Sequence, residues 1–205
     1  VTKAFADDTC VITPSFASDA NLIMKIFQEF QSISNLKLNI SKTALIPLWE
    51  STHFAVKRWL HDAYPLWTSV EVTWAARYLG FMVGPAKGAS SWSQAGSKFE
   101  QRVSTWTSLR LGMHLNAKIY RTFCTSTLSF LWQLEDIPPD VLKAEQVALR
   151  KLAPGPGNWI RACELRHLQH CFSHPYCFPS FEHMAMAAKL RVCQFEPNLH
   201  LRTRT

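Results

Sequence analysis

The sequence predicts an α+β fold, with extended segments confined to the first 84 residues and helices after them. Three observations predict it. The opening stretch KAFADDTCVI reads as strand, acidic turn and strand, because Phe5-Ala6 runs into Asp7-Asp8 and Cys10-Val11-Ile12 runs out. Further on, short alternating or β-rich runs recur up to Val83. Beyond a Gly-, Ala- and Ser-rich segment from Gly84 to Gly96, apolar residues recur at helical spacing with no strand pattern.

Taken in order, Ser18-Asp19 predicts a helix start, and Leu22, Ile23, Ile26, Phe27 and Phe30 follow as one apolar face. Leu36, Leu38 and Ile40 alternate with Lys37 and Asn39, the pattern of a half-buried strand. Ala44-Leu45-Ile46 is a second short strand that Pro47 ends, and Lys42 sits at the bend between the two. A helix is expected from Ser51 to about Ala63, then extended segments at Val70 to Val72 and at Arg77 to Val83. In the second half, Phe99, Val103 and Trp106 form one helical face, and Leu115, Ile119 and Phe123 form another. Pro138-Pro139 opens a third helix through Val141, Ala144, Ala148 and Leu152. The run Pro154-Gly155-Pro156-Gly157 breaks it, and a poorly patterned Cys/His-rich tail follows. The expected division is therefore 1–84, a linker at 85–96, a helical domain at 97–160 and the tail at 161–205.

At 205 residues and 47% hydrophobic content the chain can bury a substantial core. No apolar run reaches the roughly 20 residues that span a bilayer, and no signal segment opens the chain, so no membrane partner is expected. Six cysteines without a CxxC pair point to a reduced, intracellular protein. The chain opens at Val1 without a methionine, already inside the predicted strand, so it is expected to be a segment of something longer. The net charge of +7 is local: residues 72–134 hold seven Lys and Arg against the single acid Glu100. A concentrated positive field of this kind favours a polyanionic partner, although a solvated helix face has the same composition.

Asp7-Asp8 is the most specific chemical feature. Crowded carboxylates repel, so a fold that fixes two side by side needs a cation or a raised pKa. Mg²⁺ is the natural candidate, being a hard ion that takes oxygen ligands and keeps waters and phosphates. An acidic turn bonding its own backbone is the plainer alternative. The tail offers a second metal candidate, zinc, because Cys163, His167 and Cys171 lie at four-residue spacing with His170, His174 and Cys177 nearby. The competing reading is core cysteines and surface histidines. Trp106 and Trp132 could stack on bases, but their helical spacing equally fits a core.

Three boxes in order give these residues a context. FADD at 5–8 resembles the aromatic-Ala-Asp-Asp box of the reverse transcriptases of non-LTR (LINE-type) retrotransposons. FQSISNLKLNISKT, from Phe30 to Thr43, is similar to that family's S-G-L-x-x-N-x-x-K-[ST] segment, and RYLGF, from Arg77 to Phe81, resembles its Y-L-G box. Asn35 stands where the family commonly has Gly; Asn tolerates left-handed backbone. Phe5 stands where many relatives have Tyr, so any role of that hydroxyl is absent. The helical part also resembles a thumb of these elements, including LAPGPGNW from Leu152 to Trp159.

The resemblance implies a partial polymerase palm over 1–84, with catalytic hairpin and primer grip, followed by an all-α thumb-like domain. It implies an RNA-directed DNA polymerase that extends a DNA primer on an RNA template with dNTPs, using two Mg²⁺ ions. Asp7 and Asp8 would be metal ligands and Lys42 the lysine near the triphosphate. Tyr78, Leu79 and Gly80 would form the primer grip, and Lys98, Arg102, Lys118 and Arg121 would contact nucleic acid. The family's further metal-binding Asp would lie in the remainder of the polymerase, upstream of Val1. The chain alone is therefore expected to be inactive. The alternatives are a decayed or repurposed remnant that binds nucleic acid without catalysis, and a nonenzymatic helical binding module.

Overall fold

The structure, a computed structural model, describes residues 2–5, 8–48, 53–157 and 159–195. It is α+β, with small sheets and a predominance of helix. The chain divides into two compact units, Val1–Gly88 and Ala89–Thr205.

In the first unit, β1 (Thr2–Phe5) pairs antiparallel with β2 (Asp8–Val11), Phe5 opposite Asp8. Helix α1 (Phe16–Ser34) starts two residues before the predicted Ser18. Thr13 Oγ1 donates to Asp19 at its first turn, and Asn35 ends it at φ 59°, its N–H bonded to the Gln31 carbonyl. Only one side of the apolar face meets the core. Phe16, Ile23 and Met24 pack against a cluster of Leu60, Trp67 and Val70, whereas Leu22, Ile26 and Phe30 remain exposed.

The predicted strand at Leu36 to Ile40 does not form. Ile40–Lys42 is a 3-10 turn, because the Asn39 side chain accepts from the Lys42 amide at 3.3 Å and bends the chain locally. β3 (Ala44–Leu45) then follows where expected and pairs in parallel with β4 (Glu71–Val72). Helix α2 (His53–Ala63) lies between them and contributes Leu60 to the cluster; the expected start at Ser51 lies outside the described residues. Arg77 to Val83 is a hairpin and not one extended segment: β5 (Ala76–Tyr78) reverses at Leu79-Gly80 into β6 (Phe81–Val83). Gly84, at φ 128°, is required there, since a Cβ would collide with the Trp74 carbonyl.

Among its described residues the second unit holds helices and no strands. The segment 85–96 is not a linker along its length: α3 (Ser90–Ser108) begins at Ser90 and buries Trp92, Phe99 and Val103. Small residues in 90–96 are compatible with helix; of the glycines only Gly96 lies inside it. Next come α4 (Met113–Ile119), a π turn at Tyr120–Cys124, a 3-10 turn at Thr125–Thr127 and α5 (Leu131–Leu134). The predicted face Leu115, Ile119, Phe123 fails at both ends. Leu115 and Phe123 are 45% and 47% exposed, while Tyr120, Cys124 and Leu128 are fully buried. The wide π turn delays the next inward position past Phe123 to Cys124 and Thr125.

Helix α6 (Pro139–Leu152) starts at the predicted Pro pair and buries Val141, Ala148, Leu149 and Leu152. The tail is structured where no pattern was visible: α7 (Ala162–Arg166), α8 (Leu168–Phe172) and α9 (Phe181–Phe195). Leu165, Leu168, Phe178 and Phe181 enter the core beside Phe99, Tyr120 and Trp132. Phe99, Tyr120 and Trp132 each lie within 6.5 Å of the Phe181 ring centroid, at 5.2, 6.3 and 5.5 Å. Phe99 meets that ring edge to face, Tyr120 lies parallel to it and Trp132 is tilted, and such aromatic pairs add to simple burial.

Candidate functional site

Two of the three boxes fall at described turns, and the first has its described ends, Phe5 and Asp8, paired across two antiparallel strands. Asp7 lies outside the described residues; Asp8, directly after it, heads β2 and is exposed, so its carboxylate is open to solvent. Its backbone is fixed by pairing with Phe5. A carboxylate here is held by the ladder of the hairpin and not by side-chain packing.

Lys42 ends the 3-10 turn and is exposed. Asn39 braces the turn at several points, beside the Thr43 amide bond to the Ile40 carbonyl at 3.1 Å. Its side-chain oxygen accepts from Ser41 Oγ at 2.8 Å and from the Lys42 amide at 3.3 Å, while its carbonyl accepts from Thr43 Oγ1 at 2.9 Å. An asparagine three residues before the lysine therefore fixes the backbone that presents it. The lysine side chain is exposed.

Tyr78, Leu79 and Gly80 sit at the tip of the second hairpin. Leu79 has φ 48° and Gly80 φ 89°, the two positive values of a type I′ turn. Gly adopts that geometry freely; Leu does so against its Cβ. The turn is closed below by Tyr78 against Phe81, edge to face at 6.3 Å. Two backbone units are thereby exposed at the tip with only one side chain between them and an approaching chain.

The four predicted cations have different surroundings. Lys98 and Arg102 share a line along α3 at four-residue spacing, and both are exposed. Arg102 is also a structural clamp, its Nη1 donating to the Phe123 carbonyl in the π turn and to Ser126 Oγ in the 3-10 turn that follows. Lys118 lies over the Tyr176 ring at 5.9 Å, a cation–π contact. Arg121 is exposed within the π turn. Trp132 is core, 1% exposed. Trp106 is half-buried and stacks on Phe123 at 5.4 Å and 29°.

The zinc candidates do not share a helix face. The helix breaks at His167, whose φ is −117° and whose Nδ1 lies 2.8 Å from the Cys163 carbonyl, so Cys163 and Cys171 belong to two different helices. Among the described residues no three His, Cys, Asp or Glu side chains gather as a metal site. All six cysteines are free thiols.

Sequence reasoning missed two features. Glu145 is 1% exposed, paired with Arg166 at 3.1 Å; it occupies an inward position of α6 that the apolar pattern skipped. Phe123 is the second, turned outward by a π turn that no spacing rule announces. No helix is long and apolar enough among the described residues to cross a membrane. Comparison with protein-family models, with curated proteins and with solved structures found no match for the chain.

Proposed function

We propose that the chain is the palm and thumb portion of an RNA-directed DNA polymerase, a reverse transcriptase of the non-LTR type. The observation that carries the reading is the placement of its three boxes in one unit. FADD spans the junction of two paired strands, N-x-x-K forms an Asn-braced turn, and Y-L-G makes a type I′ tip. A polymerase needs such exposed reversals, since carboxylate, lysine and backbone must all reach one nucleic-acid end.

Asp7 and Asp8 supply hard oxygen donors, the donor chemistry that Mg²⁺ selects, and Asp8 is exposed at the head of its strand. Bound Mg²⁺ would stabilise the attacking and leaving oxygens of phosphoryl transfer. The primer 3′-hydroxyl gives up its proton and forms a bond to the α-phosphate of a dNTP as the bond to pyrophosphate breaks, and Asp7 and Asp8 would hold the cation that offsets the phosphates' charge. Lys42 neutralises the departing pyrophosphate or gives it a proton. Leu79-Gly80 lets the primer backbone approach closely. Two carboxylates leave an octahedral ion short of protein ligands, so the chain alone extends no primer.

The test is primer extension on an RNA template, with the 205-residue chain alone and joined to a polymerase segment that supplies a further carboxylate. The joined protein is expected to incorporate dNTPs with Mg²⁺, to lose activity with Asp7→Ala and to slow about 10²- to 10⁴-fold with Lys42→Ala. Activity that survives Asp7→Ala overturns the reading.

A further inference from the structure

The second unit carries an exposed aromatic step beside a line of cations. Trp106 and Phe123 stack at 5.4 Å, and Phe123 is 47% exposed. In an uninterrupted helix Phe123 would follow Ile119, which is 8% exposed, into the core. The π turn at Tyr120–Cys124 prevents this, and π turns inserted in helices are frequent at functional sites. Arg102 holds the arrangement by bonding the Phe123 carbonyl and Ser126. A half-buried Trp106 thus carries an exposed Phe123 on its face, and an exposed arginine holds the backbone that presents the second ring.

Lys98, Arg102 and Trp106 follow one another at four-residue spacing on α3, so two cations and the aromatic step lie along one face over about 12 Å. The guanidinium of Arg102 has donors left beyond Nη1. Glu100, two residues from Lys98, faces elsewhere on the helix. Cations that track a phosphate backbone and lead to an aromatic face are the parts of a single-strand binding surface, where bases stack without regard to sequence.

We propose that Trp106 and Phe123 form a stacking platform for an unpaired nucleobase, with Lys98 and Arg102 binding the phosphates that lead to it, and that this surface takes single-stranded nucleic acid. The polymerase reading already gives Lys98 and Arg102 to nucleic acid; the aromatic platform and its single-stranded ligand are the addition, and they need neither Asp7 nor a metal. An apolar protein segment is the competing occupant, but it has no use for the cations in line.

Fluorescence anisotropy with the full chain, in EDTA and without dNTP, tests it on two labelled 20-mers: oligo-dT, and an abasic oligomer with the same phosphates. Phe123→Ala is expected to weaken oligo-dT binding about 5- to 100-fold and leave abasic binding unchanged. Phe123→Tyr keeps the preference, and Lys98→Gln weakens both ligands equally. Equal binding of both oligomers by the unaltered chain overturns the platform, as does a Phe123→Ala loss of the same size on both. Because metal and nucleotide are absent, an inactive polymerase leaves each outcome unchanged.

Discussion

Glu145 Oε1, on α6, accepts the amide N–H of Phe181, the first residue of α9, at 2.9 Å. Its other oxygen accepts from Arg166 Nη2 at 3.1 Å, so one buried carboxylate joins three helices of the second unit. The acid is 1% exposed and the arginine 22%, so the pair is sealed on one side and wet on the other. Phe181 carries the aromatic contacts to Phe99, Tyr120 and Trp132, and the carboxylate therefore fixes where the core's central ring enters.

Removing one partner of a buried pair leaves the other unpaired, which costs about 3 kcal/mol or more. Glu145→Ala is expected to destabilise the chain by about that amount in urea unfolding, since it strands both Arg166 and the Phe181 amide. Glu145→Gln keeps an acceptor for Phe181 and costs less. A change below about 1 kcal/mol for Glu145→Ala would refute the clip.

The same carboxylate predicts a pH dependence. Burial, aided by the like charge of Glu182, raises its pKa above the ordinary 4.5, against the lowering by the Phe181 amide and Arg166. A raised acid binds its proton more tightly folded than unfolded, so its contribution to stability falls as pH rises from 4.5 through the folded value. The stability difference between the unaltered chain and Glu145→Gln should therefore shift against the unaltered chain over that window. Urea midpoints of both proteins from pH 4 to 7 read this directly. A parallel pair of profiles would contradict it.

Elements whose cause is local were legible in the sequence. The β1–β2 hairpin follows from its apolar flanks, α6 from Pro138-Pro139, and the left-handed Asn35 from the tolerance of Asn for that backbone. Elements decided by a competing local bond or by tertiary contact were not. Asn39 turned an alternating pattern into a 3-10 turn, and a π turn put Phe123 out of phase. The tail looked unpatterned because α7 and α8 are too short to show a period, and only packing of Leu165 and Leu168 reveals them. At the candidate site the residue types were readable, but the Leu79-Gly80 reversal was hidden in a run that looks continuously extended.

Leu79 stores strain at that reversal. A left-handed backbone costs a residue with a Cβ roughly 1 kcal/mol relative to glycine, and Leu79 holds φ 48° while half-buried. Leu79→Gly is expected to hold or raise the thermal midpoint, and Gly80→Ala to lower it. If the tip serves a primer, Gly80→Ala will lower primer extension in the joined protein by more than its loss of stability explains. A large loss of stability with Leu79→Gly would show that the side chain's packing outweighs its strain.

Gly155 is required by space and not by its dihedral angle. A Cβ there would run into the Trp159 indole, whose Nε1 donates to the Ala153 carbonyl at 3.1 Å just after α6 ends. Gly155→Ala is expected to displace the ring and cost about 1 kcal/mol, the net worth of one such hydrogen bond. The Trp159 indole N–H resonance, assigned by its loss in Trp159→Phe, should move toward its solvent-exposed position. An unmoved resonance would mean that the loop relaxes around the methyl.

The free thiols report on the second unit without substitution. Cys163 and Cys171 are exposed, whereas Cys124 is fully buried in the π turn and burial pushes its pKa up to about 11, despite the lowering by Arg102. At pH 8 only about one molecule in a thousand would then carry a Cys124 thiolate, the form that reacts. Native labelling with a disulfide reagent should therefore modify Cys163 and Cys171 first and Cys124 last, at a rate that tracks opening of the helical unit. Glu145→Ala, which loosens that unit, should speed Cys124 labelling far more than Cys163 labelling. Peptide mapping over the time course separates the sites, and equal initial rates at Cys124 and Cys163 would place the π turn at the surface.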